Sequence, residues 1–188
     1  MTLSSAFYAR NTTAVAKALL GKLLIHDSPH GRTAGIIVET EAYLQDDPAS
    51  HSYSGKSKRN AAMFGKPGTA YVYTSYGVHR CFNVVTNKAG IGEAVLIRAL
   101  EPVEGISLMQ RRRRTKDVHA LCSGPGKLVE AMGITLQDNG CTLDGKLRIV
   151  PGRRKKQKII ACKRVGISKN VHAYLRYIIK DAAFCSRP

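Results

Sequence analysis

Residues 36–44 read Ile36-Ile37-Val38-Glu39-Thr40-Glu41-Ala42-Tyr43-Leu44 (IIVETEAYL). Apolar and β-branched residues dominate this stretch, and it has neither Gly nor Pro, so it reads as a β-strand. Side chains alternate along a strand. Val38, Thr40, Ala42 and Leu44 are therefore expected on one face, and Ile37, Glu39, Glu41 and Tyr43 on the other. The two carboxylates then sit about 6.5–7 Å apart, Cα to Cα. Like charges at that range push at least one pKa up. A carboxylate with a raised pKa is a candidate general base or acid. A second reading stays open from this stretch alone: a solvated strand face on which each Glu is answered by a Lys or Arg.

Working outward, the 188 residues suit one domain, 1–188, with a single sizeable core. Hydrophobic residues make up 44%, a globular proportion. No apolar run approaches the ~18–20 residues of a membrane span, and the first twenty residues lack the pattern of a secretory signal. An intracellular protein with no membrane partner is expected. Five scattered cysteines show no zinc spacing, so neither a disulfide framework nor a metal site is expected. Charge is the strongest global signal. Lys and Arg total 30 against 13 for Asp and Glu, a formal net charge of +17. A domain this basic is expected to bind a polyanion, most often nucleic acid. Charge does not separate an enzyme from a passive binder, so a non-catalytic basic domain that binds DNA or RNA stands as the alternative. The same charge disfavours a hydrolase of free nucleosides.

Before the opening strand, Asn11 is a good helix N-cap for the apolar positions Val15, Ala18 and Leu19, with Gly21 as the stop. Leu23–Ile25 reads as a short strand. After the opening strand, residues 45–68 (QDDPASHSYSGKSKRNAAMFGKPG) form a long polar loop with a helical turn expected near Asn60–Phe64. Loops this long inside a compact domain are usually functional or disordered. His51 and Arg59 lie here; a lone loop His is more often a surface residue than a ligand or catalyst, and Arg59 reads either as a phosphate contact or as a solvated group. Residues 70–86 (AYVYTSYGVHRCFNVVT) read as a β-hairpin with Tyr71 and Tyr73 on one face and Tyr76 near the tip. An aromatic at such a tip either covers a neighbouring loop or wedges into stacked bases. Asn83 lies in the second arm.

Residues 93–100 (EAVLIRAL) read as a strand with Leu96, Arg98 and Leu100 on one face. An Arg in apolar surroundings needs a carboxylate or phosphate partner; the glutamate pair and a bound phosphate are both candidates. Pro102 suits the first turn of a helix carrying Val103, Ile106 and Met109, which ends in Arg111–Arg114. That run serves either the helix dipole or a phosphate. Ser123-Gly124-Pro125-Gly126-Lys127 opens a short helix and offers N–H groups and Lys127 to an anion, without the spacing of a P-loop. Strands are expected within 143–150, 159–167 and 174–179, and PGRRKKQK (151–158) is an exposed basic turn.

These residues together resemble the 3-methyladenine DNA glycosylases of the alkyladenine type. The matching blocks are Phe7-Tyr8, LLGKLL (19–24), IIVETEAY (36–43), His51, Arg59-Asn60, MFGKPGTAYVYTSYG (63–77), Asn83, IRALEP (97–102), LCSGPGKL (121–128) and RVG (164–166). They run in family order over nearly the whole chain. The resemblance implies an α+β fold: a single domain with a curved, mostly antiparallel β-sheet, surrounding helices and a protruding β-hairpin. It implies hydrolysis of the N-glycosidic bond of a damaged purine flipped out of double-stranded DNA, leaving an abasic site. The damaged purines implied are 3-methyladenine and 7-methylguanine, with hypoxanthine and ethenoadenine as further candidates. No cofactor, metal or obligate protein partner is implied, and a monomer is expected. A nucleoid-associated cytoplasmic enzyme is expected for a bacterial source, a nuclear one for a eukaryotic source.

By the same resemblance, Glu41 matches the base that activates water. Arg98 and the carbonyl of Val165 match its neighbours. Tyr43, His51 and Tyr73 match the residues that sandwich or hydrogen-bond the flipped base, and Asn83 a gatekeeper against a purine 2-amino group. Tyr76 matches the wedge that fills the gap in the stack. Arg59 and Lys127 match phosphate or pocket-mouth contacts. No lysine stands where an amine nucleophile is expected, so a monofunctional enzyme is implied. The chain departs from the family's pattern at His79 and in the short stretch after Glu104.

Overall fold

The computed structural model describes residues 1–75, 77–152 and 157–187. Two short helices open the chain, α1 (Ser5–Tyr8) and α2 (Thr12–Leu19). The Asn11 side chain accepts from the backbone N–H groups of Thr13 and Ala14, as a good N-cap does. Strand β1 (Leu23–Ser28) turns into β2 (Gly31–Tyr43), which contains the expected strand and extends it toward the N-terminus. The loop after β2 holds the expected helical turn, a 3-10 turn over Ala61–Phe64. Then come the hairpin strands β3 (Ala70–Ser75) and β4 (His79–Val85), and β5 (Ala94–Glu104). Helices α3 (Ile106–Arg113), α4 (Val118–Leu121) and α5 (Pro125–Met132) follow, and the chain closes with β6 (Leu147–Val150), β7 (Ile159–Cys162) and β8 (Arg176–Ile179).

The strands form one curved antiparallel sheet in the order β3-β4-β5-β2-β1-β6, with β8 added beside β2 and β7 beside β8. This is the α+β architecture expected. β2 is its centre. One edge of β2 runs along β5; the other pairs with β1 up to Ile36 and with β8 over Glu39–Glu41. The register of β2 and β5 slips between these two zones, skipping Val38 on β2 and Arg98 on β5. Bulges of this kind re-aim side chains.

Alternation along the strands divides the sheet into two faces. Val38, Ala42, Val72, Phe82, Val84, Val95, Ile97 and Ala99 enter the main core, joined by Leu19 of α2 and Leu128 and Met132 of α5. Glu39, Glu41, Tyr43, Tyr71, Tyr73, Asn83, Leu96 and Arg98 take the opposite face. There a smaller cluster of Met63, Tyr71, Val85 and Ala94 backs the aromatic residues. The bulges correct two expectations. Ile37 is in the main core with Val38, not on the glutamate face, and Leu100 is in the core, not beside Arg98.

Three other boundaries differ. Pro102 and Val103 continue β5 opposite β2 rather than start a helix. Proline is tolerated in a strand where a neighbour is missing, and β4 leaves β5 after Leu96. The strand expected over 159–167 stops at Cys162, and the one over 143–150 is only Leu147–Val150. The arginine run ties helices together: Arg112 donates to the Ala131 carbonyl and to Ser28 Oγ, and Arg113 pairs with Glu130 at 2.6 Å. The five cysteines are free thiols. In the basic turn at 151–158, residues 153–156 lie outside the described residues.

Candidate active site

The two glutamates that the sequence presents as equals have different surroundings. Both side chains are wholly buried. Glu39 Oε1 accepts from Arg98 Nε at 3.2 Å, Arg176 Nη1 at 3.0 Å and Ser186 Oγ at 2.9 Å, and its Oε2 accepts from the Ser186 N–H at 2.6 Å. It is a saturated structural carboxylate. Glu41 Oε1 accepts from the Val165 N–H at 2.8 Å, with Arg98 Nη1 at 3.4 Å, and its Oε2 accepts from the Tyr43 hydroxyl at 2.9 Å. Lone pairs remain on Glu41, since a carboxylate offers about four acceptor sites.

Arg98 answers both carboxylates, so the first of its two candidate partners is the one found. Its Nη1 also points to the Val165 carbonyl at 3.5 Å. Burial is the main force on Glu41 and pushes its pKa above the usual carboxylate range. Arg98, the Val165 N–H and the Tyr43 hydroxyl pull it back in part, and Glu39 adds a small upward push. The like-charge effect read from the sequence is real but minor beside desolvation.

The aromatic residues line a cavity of about 560 Å³, within the ~300–1,000 Å³ usual for small-molecule pockets; Glu41 is not among the residues that line it, and meets it through the Tyr43 hydroxyl. Tyr43, His51, Tyr71, Tyr73, Met63 and Asn83 line it. His51 meets Tyr73 edge-on with ring centroids 4.5 Å apart, and its Nδ1 lies 2.9 Å from the Tyr71 hydroxyl. Burial of the ring, and after it the charge of Arg59, holds His51 below the usual imidazole pKa. Asn83 Nδ2 donates to the Tyr71 carbonyl at 3.1 Å. Asn60 holds the His51 loop in shape: its Nδ2 donates to the carbonyls of His51 and Gly55.

A second cavity, of about 500 Å³, adjoins the first through shared residues Tyr43, Tyr73, Ser75 and Gly166. Its other walls include Arg98, Val165, His79 and Lys127. Lys127 sits in the first turn of α5, with Nζ 3.5 Å from Ser123 Oγ. The lining of this cavity combines Arg98, the Arg113–Glu130 pair and Lys127 with the Gly-rich turn, and Lys127 and the turn suit an anionic group.

The fold thus gathers Glu41, Arg98, Val165, Tyr43, Tyr73, His51 and Asn83 at one place and puts Lys127 at its margin. Arg59 stands apart, exposed, donating to the Thr74 carbonyl at 3.2 Å. Tyr76 lies outside the described residues. Sequence reasoning missed Tyr71 as the partner of His51, Asn60 as the organiser of its loop, and Ser186 as a ligand of Glu39. The Tyr71 and Tyr73 pairing on one strand face was a usable signal; the contact of Ser186, far along the chain, had none.

The sequence pattern of the family described as methylpurine-DNA glycosylase (MPG) matches residues 6–183. A provisionally named 3-methyladenine DNA glycosylase from Methanoculleus marisnigri is 53% identical over 192 residues, covering 100% of both chains. A relative of the same provisional name from Rhodopseudomonas palustris is 48% identical, covering 99% of this chain and 91% of its own. Another from Francisella tularensis is 48% identical, covering 94% of each.

Proposed function

The chain belongs to the methylpurine-DNA glycosylase family, and from that premise we propose how its residues share the reaction. The family activity is base excision: hydrolysis of the N-glycosyl bond of damaged purines in DNA. In our reading the flipped base enters the aromatic cavity between Tyr43, Tyr73 and His51. The sugar and its phosphate occupy the second cavity, near Arg98 and Lys127. The scissile bond then lies at the shared wall, beside Tyr43 and Gly166 and in front of Glu41.

The chemistry follows from that placement. As the bond to the base lengthens, the sugar develops oxocarbenium character. A water held between the Glu41 carboxylate, Arg98 and the Val165 carbonyl gives its oxygen to the sugar carbon and its proton to Glu41. The bonding electrons leave with the base. A carboxylate whose pKa is raised by burial is a stronger base than one in water. Alkylated purines such as 3-methyladenine and 7-methylguanine carry positive charge and leave as neutral bases. The tyrosine faces attract such a cation, a contact worth about 0.5–2 kcal/mol. Hypoxanthine and ethenoadenine are uncharged, so they leave as anions that take up a proton from water, and they depend more on hydrogen bonds from His51. Asn83, on the cavity wall, is the group we assign to discriminate against a 2-amino substituent. Tyr76 is assigned on sequence alone as the wedge, and Arg59 as a DNA-backbone contact. The working unit is taken as a monomer, since one chain supplies both cavities.

The observation that carries this reading is the convergence of Glu41, Arg98 Nη1 and the Val165 carbonyl next to Tyr43, which lines both cavities. Its test is a duplex oligonucleotide with one 7-methylguanine or hypoxanthine, incubated with the protein and then treated with alkali. Cleavage at the lesion only after alkali is expected. Cleavage without alkali would contradict monofunctional chemistry, and no cleavage across several lesions would overturn the reading.

A further inference from the structure

Between β7 and β8 the loop from Arg164 to Asn170 supplies Val165 to Glu41 and Gly166, Ile167, Ser168 and Lys169 to the rim of the aromatic cavity. Both ends of this loop are bonded to one carboxylate. Arg164 Nη1 pairs with Asp47 Oδ2, and Asn170 Nδ2 donates to Asp47 Oδ1 at 2.9 Å. Asp47 also accepts from the Ala49 N–H at 3.0 Å, which turns the other rim segment, Pro48–His51, into the same cavity. Asp47 and Arg164 are both buried.

Arg164 reaches further. Its Nη1 donates to the Ala42 carbonyl at 3.1 Å, between Glu41 and Tyr43 in the chain. Its Cζ lies 4.6 Å from the centre of the Tyr43 ring. Its Nε and Nη2 find no oxygen or nitrogen acceptor among the described residues; the Tyr43 π-face is what the guanidinium meets there. Because Arg164 is fully buried, the ring face it covers is closed, and the opposite face is left for the cavity. Residue 165, next in the chain, then presents its N–H to Glu41 and its carbonyl to Arg98.

We infer that Asp47, Arg164 and Asn170 form a staple of positioning residues, buried at Asp47 and Arg164, that holds Val165 against Glu41 and holds Tyr43 flat to the cavity. The staple rests on the reading of Glu41 given above for its catalytic consequence, but its structural content stands apart from it. Loosening the loop weakens the Val165 N–H bond to Glu41. A carboxylate that loses a donor binds its proton more tightly, so the Glu41 titration moves to higher pH. The other charged or titratable groups around Glu41 are Arg98 of β5, Glu39 and Tyr43 of β2, Tyr73 of β3, Cys81 of β4 and Arg176 opposite it on β8. The substitutions below leave all of them in place.

The test uses the full chain with Asp47→Asn, Arg164→Lys and Asn170→Gly. Asn170 is exposed and has φ +50°, which Gly adopts freely, so the last variant keeps the fold while cutting one arm of the staple. Two NMR signals are followed: the Val165 amide and the Glu41 carboxyl carbon, the latter identified by its loss in Glu41→Gln. In each folded variant the Val165 amide should exchange faster and the Glu41 midpoint should rise, least in Asn170→Gly. Base release at saturating enzyme should fall on the order of 10- to 100-fold in Arg164→Lys, with a shifted acid limb. A role in bulk stability alone predicts lower melting temperatures with both signals unmoved. Unmoved signals in folded variants overturn the staple, whether or not the wild type excises a base. A wild type inactive on every lesion overturns the functional reading alone.

Discussion

The Tyr43 hydroxyl donates to Glu41 Oε2 at 2.9 Å, two residues along the same face of β2. One residue therefore offers its ring to the cavity and its hydroxyl to the buried carboxylate. Burial holds Glu41 above the ordinary carboxylate pKa, and the Tyr43 bond is one of the contacts that limit the rise. If the ionised form is the active one, base release falls as pH drops through this raised value. Tyr43→Phe keeps the ring and deletes the donor, so the Glu41 pKa rises further. The acid limb of the pH–rate profile should move to higher pH, with a smaller loss at alkaline pH. An acid limb that stays in place in Tyr43→Phe would mean the hydroxyl does not tune the base.

Glu39 should behave as a structural group. It holds Arg98, Arg176 and Ser186, and its side chain is wholly buried. Glu39→Ala leaves two buried guanidinium groups without that carboxylate. Breaking a buried ion pair in this way costs about 3–5 kcal/mol. Thermal or urea unfolding of Glu39→Ala should show a loss of that size. A loss below ~1 kcal/mol, the worth of an exposed pair, would refute the structural role.

The strand at 36–44, the hairpin and the glutamate pair were legible in the residues themselves, because period-two patterning is local; the curved antiparallel sheet came only with the family resemblance. The pairing of Arg98 with carboxylates was legible as one of two options. The bulge at Val38 and Arg98 was not, since residues 36–44 and 93–100 each read as unbroken strands. It decided that Ile37 and Leu100 enter the core. Pro102 misled for a definite reason: a proline fits both a helix start and a strand with an open side. The Asp47–Arg164 pair joins residues 117 positions apart, and no single-sequence pattern marks such a partner. Ser186 was hidden in the same way, as was the role of Asn60.

Tyr71 should matter for uncharged lesions. Its hydroxyl meets His51 Nδ1, and burial pushes its own pKa up to about 12, so it stays a neutral donor or acceptor. Tyr71→Phe removes the hydrogen-bond partner of His51 Nδ1, a bond worth about 0.5–1.5 kcal/mol. Release of hypoxanthine should drop about 2- to 12-fold, the same energy expressed as a rate. Release of 7-methylguanine, which leaves without needing that hydrogen bond, should drop less. Equal losses on both bases would show that Tyr71 serves packing only.

Lys127 should report on the phosphate. It is exposed at the start of α5, on the wall of the second cavity. Affinity for lesion-bearing duplex should fall steeply with salt, as released counterions require. Lys127→Ala should weaken binding and reduce the slope of log K against log salt by about 1. A slope equal to that of the wild type would remove Lys127 from the DNA contacts.

Glu41 as the base is the centre of the account. Glu41→Gln keeps the shape of the side chain and can still accept from Val165 or Tyr43, but it cannot take a proton from water. The measurement is single-turnover release of hypoxanthine from duplex DNA, with lesion affinity measured on the same preparation. The account predicts a rate loss of about 10²- to 10⁴-fold with affinity nearly unchanged. A Glu41→Gln protein that releases the base at the wild-type rate would contradict it.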